Sequence, residues 1–176
     1  MGDFIKGSAL NELTLQIQKG IELHRKIDEY TDQHEVVEES KARLRPQFRK
    51  YAPVLSDIYY DYFLAKNWDD YHEHNFRDFT TKTSQFLKEN ESIFPVRAKQ
   101  FLSYMLQNDI LFNYQYLDGI HLVFQGMSRR ASFNSGMENG ADFLRLHEAE
   151  FEQEFKAFFP DLVDMTELWF QENEIK

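Results

Sequence analysis

His24, Asp28 and Asp32 recur at four-residue intervals in the stretch Gly20-Ile-Glu-Leu-His-Arg-Lys-Ile-Asp-Glu-Tyr-Thr-Asp32. At about 100° per residue, Leu10, Leu13, Ile17 and Ile21 fall within about 60° of His24, and Asp28 lies at roughly 40° from it. The imidazole and the carboxylate therefore continue an apolar stripe, while Glu22, Lys26 and Glu29 occupy the opposite face. A carboxylate turned toward a core is costly unless it is paired, hydrogen-bonded or bound to a metal. The i, i+4 spacing suits two ligands on one cation, and it equally suits a buried His–Asp hydrogen bond between helices. Asp32, a turn further on at roughly 80°, lies near the edge of the stripe, where it could contribute a ligand or face water.

A second segment repeats the anomaly. With Asp61 as origin, Val54, Asp57, Ile58, Leu64, Ala65 and Trp68 lie within about 60°, so this carboxylate is on a core face too. Two helices that each send carboxylates inward call for a shared cation or basic partners, as in helical bundles with internal metal sites. Oxygen and imidazole donors without sulfur suit Mn²⁺, Fe²⁺ or Mg²⁺ better than a structural zinc. Asp3, in Met1-Gly-Asp-Phe-Ile-Lys-Gly7, offers a further oxygen. His72 and His74 flank Glu73 in a polar stretch and read as solvated, and His121 has Asp118 at i−3 in an apolar segment, so a core pair competes with a site role there. Arg129 and Arg130 follow Gly126-Met-Ser at a helix end, where paired guanidinium groups suit either phosphate recognition or the helix dipole. Lys41, Arg43, Arg45, Arg49 and Lys50 form a basic cluster that either steers an acidic partner or is a solvated helix end.

The elements that must position these groups are helices. The periodicity predicts them at 9–31, 35–45, 52–67, 76–90, 96–107, 110–126, 138–158 and 161–173, with Pro46, Pro53, Pro95 and Pro160 as punctuation. No stretch alternates with period two for long, so the expectation is an all-α, multi-helix bundle in one domain over residues 1–176. Ser132 to Gly140 is the loosest segment by composition. Seventeen Phe, nine Tyr and two Trp make the expected core heavily aromatic, and the absence of Cys excludes disulfides, zinc-thiolate sites and cysteine nucleophiles. No apolar run has the length of a membrane span and no secretory leader is visible, so a soluble cytoplasmic protein is expected. The net charge of −10 argues against nucleic-acid binding. Residues 131–176 hold eleven Asp and Glu against three Lys and Arg, a net −8, which makes the C-terminal part an acidic skin. No pattern indicates an oligomeric state.

These residues resemble the acyl carrier protein phosphodiesterase family, also called acyl carrier protein hydrolases, which are thought to be distant relatives of HD-domain phosphohydrolases. The matching elements run in family order: Gly2-Asp-Phe-Ile-Lys-Gly7; Gly20-Ile-Glu-Leu-His-Arg-Lys-Ile-Asp28 with Thr31-Asp32; Ala52-Pro-Val with Asp57, Asp61, Phe63-Leu64 and Trp68; Gly126-Met-Ser-Arg-Arg130; and Phe158-Phe-Pro160. The block around His24-Arg25 and Thr31-Asp32 is specific, and the C-terminal elements are much less so. The resemblance implies an HD-domain-like helical fold and a hydrolase that releases 4′-phosphopantetheine from the serine of holo acyl carrier protein, with a divalent metal, typically Mn²⁺. Carried over residue by residue, it makes Asp3, His24, Asp28 and Asp32 metal ligands and Asp28 and Asp61 acid–base groups. Arg25, Arg45, Arg49, Arg129 and Arg130 are the candidate substrate-binding residues, with carrier protein as partner. Family members usually have an apolar segment with a histidine upstream of the Gly-Asp-Phe element; here Met1 directly precedes Gly2-Asp3, so either the start codon is placed late or the chain lacks that segment, and in the second case the expectation is an incomplete metal site and an impaired activity. Two rival functions stay open, an HD-like phosphohydrolase acting on a nucleotide or other small phosphodiester, and a non-catalytic helical binding module.

Overall fold

Two of the four prolines open helices as their chemistry requires, and two do not. In the computed structural model, which describes residues 14–173, the helices are α1 (Leu15–Gln33), α2 (Glu35–Phe48), α3 (Ala52–Lys66), α4 (Phe76–Glu89), α5 (Val96–Gln107), α6 (Ile110–Asn113), α7 (Leu117–Arg130), α8 (Gly140–Leu146) and α9 (Glu148–Glu172). Short 3₁₀ turns separate several of them, and no strand occurs among the described residues. Pro53 sits in the first turn of α3 and Pro95 caps α5, where a missing N–H costs nothing. Pro46 lies inside the last turns of α2, and Pro160 lies within α9. The expected break between 158 and 161 is thus corrected: Phe151, Phe155, Phe158 and Leu162 carry one apolar face straight through Pro160, and their burial outweighs the lost hydrogen bond.

Two other predicted helices are divided. The stretch 110–126 splits at Tyr114–Tyr116 into α6 and α7, because α7 approaches α6 so closely that a Cβ on Gly119 would stand 2.0 Å from the Asn113 carbonyl oxygen. The stretch 138–158 splits at His147, which caps α8. Ser132 to Gly140, expected to be loose, is tied down: Ser128 Oγ donates to Glu138 at 2.6 Å, Ser135 Oγ donates to Ser128 at 3.2 Å, and Gly136 supplies the left-handed turn at φ 70°. The predicted start of the first helix at residue 9, and Asp3, lie outside the described residues.

The core is built on α2. Its Val37, Leu44 and Phe48 meet Leu55, Tyr59 and Phe63 of α3, Ile120 and Phe124 of α7, Leu144 of α8 and Phe151, Phe155 and Phe158 of α9. Tyr59 sets its ring edge-on to Phe124 and Phe151, at 5.9 and 4.9 Å, and its hydroxyl donates to Gly140 O at 2.6 Å. A buried polar tie runs through the same layer: Tyr60 Oη lies 2.8 Å from Ser40 Oγ, which donates to Glu154 Oε2 at 2.5 Å, and Glu154 also accepts from Arg43. Both α1 and α3 rest on α2 and α9. This arrangement leaves a space between α1 and α3 that α9 closes from a third side.

Candidate functional site

That space is a cavity of about 770 Å³, and each wall is one helical face. From α1 come His24, Ile27, Asp28, Thr31 and Asp32; from α3, Asp57, Tyr60, Asp61 and Leu64; from α9, Phe155, Phe158, Phe159, Leu162, Val163 and Thr166. The spacing is i, i+3, i+4, i+7 in each case, so one side of each helix faces the same space. Two walls carry acid and imidazole and the third is aromatic and aliphatic.

The inward carboxylates of the sequence therefore have their explanation. They face an open cavity, not a dry core: the side chains of His24 and Asp28 remain 41% and 53% exposed. His24 Nδ1 lies 2.9 Å from Asp28 Oδ2, but it is buried and the alignment of the pair is not that of a hydrogen bond. Asp32 Oδ1 accepts from Lys41 Nζ at 2.7 Å, and the Lys41 side chain, at 4% exposure, approaches from beneath the cavity. Asp57 and Asp61 count as exposed by area because the cavity is open, yet protein crowds them and displaces bulk water. That desolvation pushes the Asp57 carboxyl up to about 6, against the opposing pull of Lys41 and with help from Asp32 and Asp28. Asp61 is pushed up to about 7 by desolvation and by the charge of Asp57. Tyr114, just beyond α6, is raised by burial and by Asp61, which places the α6 end of the arrangement beside this carboxylate.

The donors suit a hard divalent cation in kind: four carboxylates and one imidazole, with no sulfur, and Asp61 has no hydrogen bond or ion pair among the described residues. No group of three or more His, Asp or Glu among the described residues is gathered closely enough to hold a metal ion.

His24, Asp28, Asp32 and Asp61 thus share one space. Arg25, Arg45, Arg49, Arg129 and Arg130 do not line it. Arg25 is exposed on α1, Arg129 and Arg130 are exposed at the end of α7, Arg130 Nε donates to Gly126 O at 3.1 Å, and Arg45 forms a two-pronged pair with Glu38 at 2.5 and 3.0 Å. Three cations of the basic cluster are paired, Lys41 with Asp32, Arg43 with Glu154 and Arg45 with Glu38, while Arg49 and Lys50 are exposed and form no ion pair among the described residues. His121 takes Gln125 at 2.8 Å as its partner in place of Asp118. Residues missed in the sequence are Tyr60, the aromatic wall on α9, and His34, whose Nδ1 accepts from Val36 N at 3.3 Å to cap α2 while Nε2 meets Asp161 at 3.2 Å. His34 carried a legible signal, since it immediately precedes the acidic first turn Glu35–Glu38.

The family model for acyl carrier protein phosphodiesterase matches residues 1–162. The chain belongs to this family. Proteins named acyl carrier protein phosphodiesterase resemble it along almost their whole length: that of Yersinia enterocolitica is 27% identical over 95% of this chain and 87% of its own, that of Klebsiella pneumoniae strain 342 is 28% identical over the same shares, and that of Escherichia coli O6:H1 is 25% identical over 94% and 86%. As an acyl carrier protein phosphodiesterase family member the chain is a hydrolase, so the acidic cavity stands on an enzyme. No solved structure matches it. The all-α expectation is met. No helix among the described residues is long and apolar enough to cross a membrane.

Proposed function

We propose that this chain hydrolyses the phosphodiester joining 4′-phosphopantetheine to the serine of holo acyl carrier protein. The observation that carries the reading is the cavity itself, where His24, Asp28, Asp57 and Asp61 face an apolar wall of Phe155, Phe158, Phe159 and Leu162 in a chain of this family. Its volume, about 770 Å³, is in the range of small-molecule sites. The aromatic wall suits the gem-dimethyl and methylene groups of the extended pantetheine arm, and the acidic walls meet the phosphodiester at its base.

His24 and Asp28, with Asp3 from outside the described residues, would hold a divalent cation, most simply Mn²⁺, with Fe²⁺ and Mg²⁺ as the other hard candidates, and such an ion would supply neutralisation of phosphoryl charge and acidification of a water. Asp32 is held by Lys41 and shapes the charge of the site. Asp61 stands near its midpoint at neutral pH, so it can take the proton of the attacking water as that oxygen bonds to phosphorus. The bond from phosphorus to the serine oxygen then breaks, and a proton returned to that oxygen completes the release of phosphopantetheine and apo carrier protein.

Mass spectrometry of holo acyl carrier protein incubated with the enzyme and Mn²⁺ tests this directly. The phosphopantetheine mass should be lost with wild type and retained with His24→Ala and with Asp61→Asn. Turnover of a nucleotide or a small diester alone, with the carrier protein left intact, would replace this substrate by the smaller one.

A further inference from the structure

The hairpin of α4 and α5 stands apart from the main core: no residue of 76–107 belongs to it. The hairpin packs on α6 and, through Phe76 and Phe79, on the Trp68 ring at 5.0 and 4.5 Å. Its outer surface is apolar. Phe79, Phe86, Ile93, Val96 and Phe101 are all exposed, Phe86 at 64% and Val96 at 73%. On α4, Phe79, Lys82, Thr83 and Phe86 follow i, i+3, i+4, i+7 and, with His72 and His74, line a surface cavity of about 340 Å³. Large exposed apolar residues gathered on one arm mark a surface meant to be covered.

Charge indicates what covers it. Residues 76–107 carry five Lys and Arg against three Asp and Glu, a net +2 in a chain of −10, and residues 92–108 contain no acid at all. Arg77 is engaged by Asp109 and Lys99 Nζ reaches Ser92 O at 3.3 Å, but Lys82 and Lys88, both exposed, form no ion pair among the described residues. The arm is also joined to the catalytic cavity. Tyr71 sets its ring edge-on to Phe155 and Phe159 of the cavity wall, at 5.9 and 4.8 Å, and its neighbour His72 stacks on Trp68 at 4.9 Å and lines the second cavity.

We propose that the α4–α5 arm is the docking surface for an acidic protein partner, the carrier protein, whose carboxylates meet Lys82 and Lys88 while apolar residues between them seat against Phe79 and Phe86. The proposal rests on the function proposed above. It moves the encounter surface to the arm from the Lys41–Lys50 segment, where Lys41, Arg43 and Arg45 are already paired.

The test measures binding separately from turnover. The dissociation constant for holo acyl carrier protein is determined by isothermal titration with wild type, Lys82→Glu/Lys88→Glu and Phe86→Ser, and with Arg145→Glu as a charge reversal placed away from the arm. Melting curves check that each variant folds, and the lysine pair is exposed enough for reversal to leave the fold intact. Wild-type affinity should fall with added salt. The double reversal should weaken binding at least tenfold, Phe86→Ser several-fold and Arg145→Glu less than twofold; in turnover the reversal should raise KM with kcat at saturation within twofold. Turnover with binding that the arm variants leave unchanged overturns the docking surface and keeps the proposed function. Binding that the arm variants abolish, with no phosphopantetheine released, keeps the docking surface and overturns the reaction. Neither binding nor turnover overturns both. Self-association by analytical ultracentrifugation that the double reversal abolishes, with carrier affinity unmoved, assigns the arm to a second copy of this chain and also overturns the proposal.

Discussion

Lys41 shows how one residue reorganises a site it does not line. The sequence places it in a run of five cations on 41–50, where the simplest reading is surface charge. In the fold it is 3% exposed, holds Asp32 at 2.7 Å and lowers the Asp57 carboxyl against the desolvation that raises it. A buried ammonium with a single carboxylate partner needs more than one negative neighbour to stay favourable, and the cavity provides them. Lys41→Met should push Asp57 above its present value of about 6. The acidic limb of the pH–rate profile should move to higher pH, and Lys41→Arg should restore most of the shift. Equal profiles for wild type and Lys41→Met would remove Lys41 from the electrostatics of the site. The same variant leaves Asp32 half-free in the cavity, so metal affinity measured by titration should rise or hold and should not collapse, which separates lost charge from lost folding.

At the scale of elements, α2, α3 and α9 are tied by Ser40, Tyr60, Arg43 and Glu154 directly beneath the cavity. Glu154→Ala leaves a buried hydroxyl and a half-buried guanidinium without their acceptor. The expected loss is roughly 2–3 kcal/mol, a drop in melting temperature of about 5–10 °C for a domain of this size. Glu154→Gln should lose less, because the amide oxygen still accepts from Ser40; identical melting curves for wild type and Glu154→Ala would show that the tie contributes nothing. Gly119→Ala is harsher in kind: its Cβ would meet a backbone carbonyl at 2.0 Å, so α6 and α7 must separate. The inward faces of α1 and α3 were legible in the sequence, because a 100° wheel is local and His24, Asp28, Asp57 and Asp61 fall on it beside apolar neighbours. The third wall was not. Its aromatic residues looked like ordinary core, and Pro160 suggested a break that tertiary packing overrides. The burial of Lys41 and the pairing of Arg43 with Glu154, 111 positions away, depend on which face of α2 meets α9, and no local pattern encodes that.

For the whole molecule, the cavity sets a pH dependence whose sign follows from the direction of two shifts. Asp57 and Asp61 have folded values raised to about 6 and about 7 over an ordinary carboxylate value near 3.8, so in the metal-free protein the folded state holds their protons where the unfolded chain has released them. Stability from this source is full below about pH 4 and is lost as pH rises through about 7. Glu38, Glu138, Glu148, Glu150 and Glu152 act in the other sense, because partners hold them below 4.5, but their contribution is complete by about pH 5. Between pH 5 and pH 8 the aspartate pair should therefore dominate among the carboxylates, and the melting temperature of the metal-free protein should fall across that interval. Asp61→Asn removes the larger shift and the repulsion with Asp57, so its curve should be flatter and should lie above wild type at pH 8. Added Mn²⁺ should raise the wild-type melting temperature most at the alkaline end, where both carboxylates are ionised, and should raise that of Asp61→Asn less, because one negative neighbour of the cation is gone. A wild-type curve that rises from pH 5 to pH 8, or one that Asp61→Asn reproduces, would mean that the cavity carboxylates are already compensated by groups outside the walls described, and the site would then have no reason to take a cation.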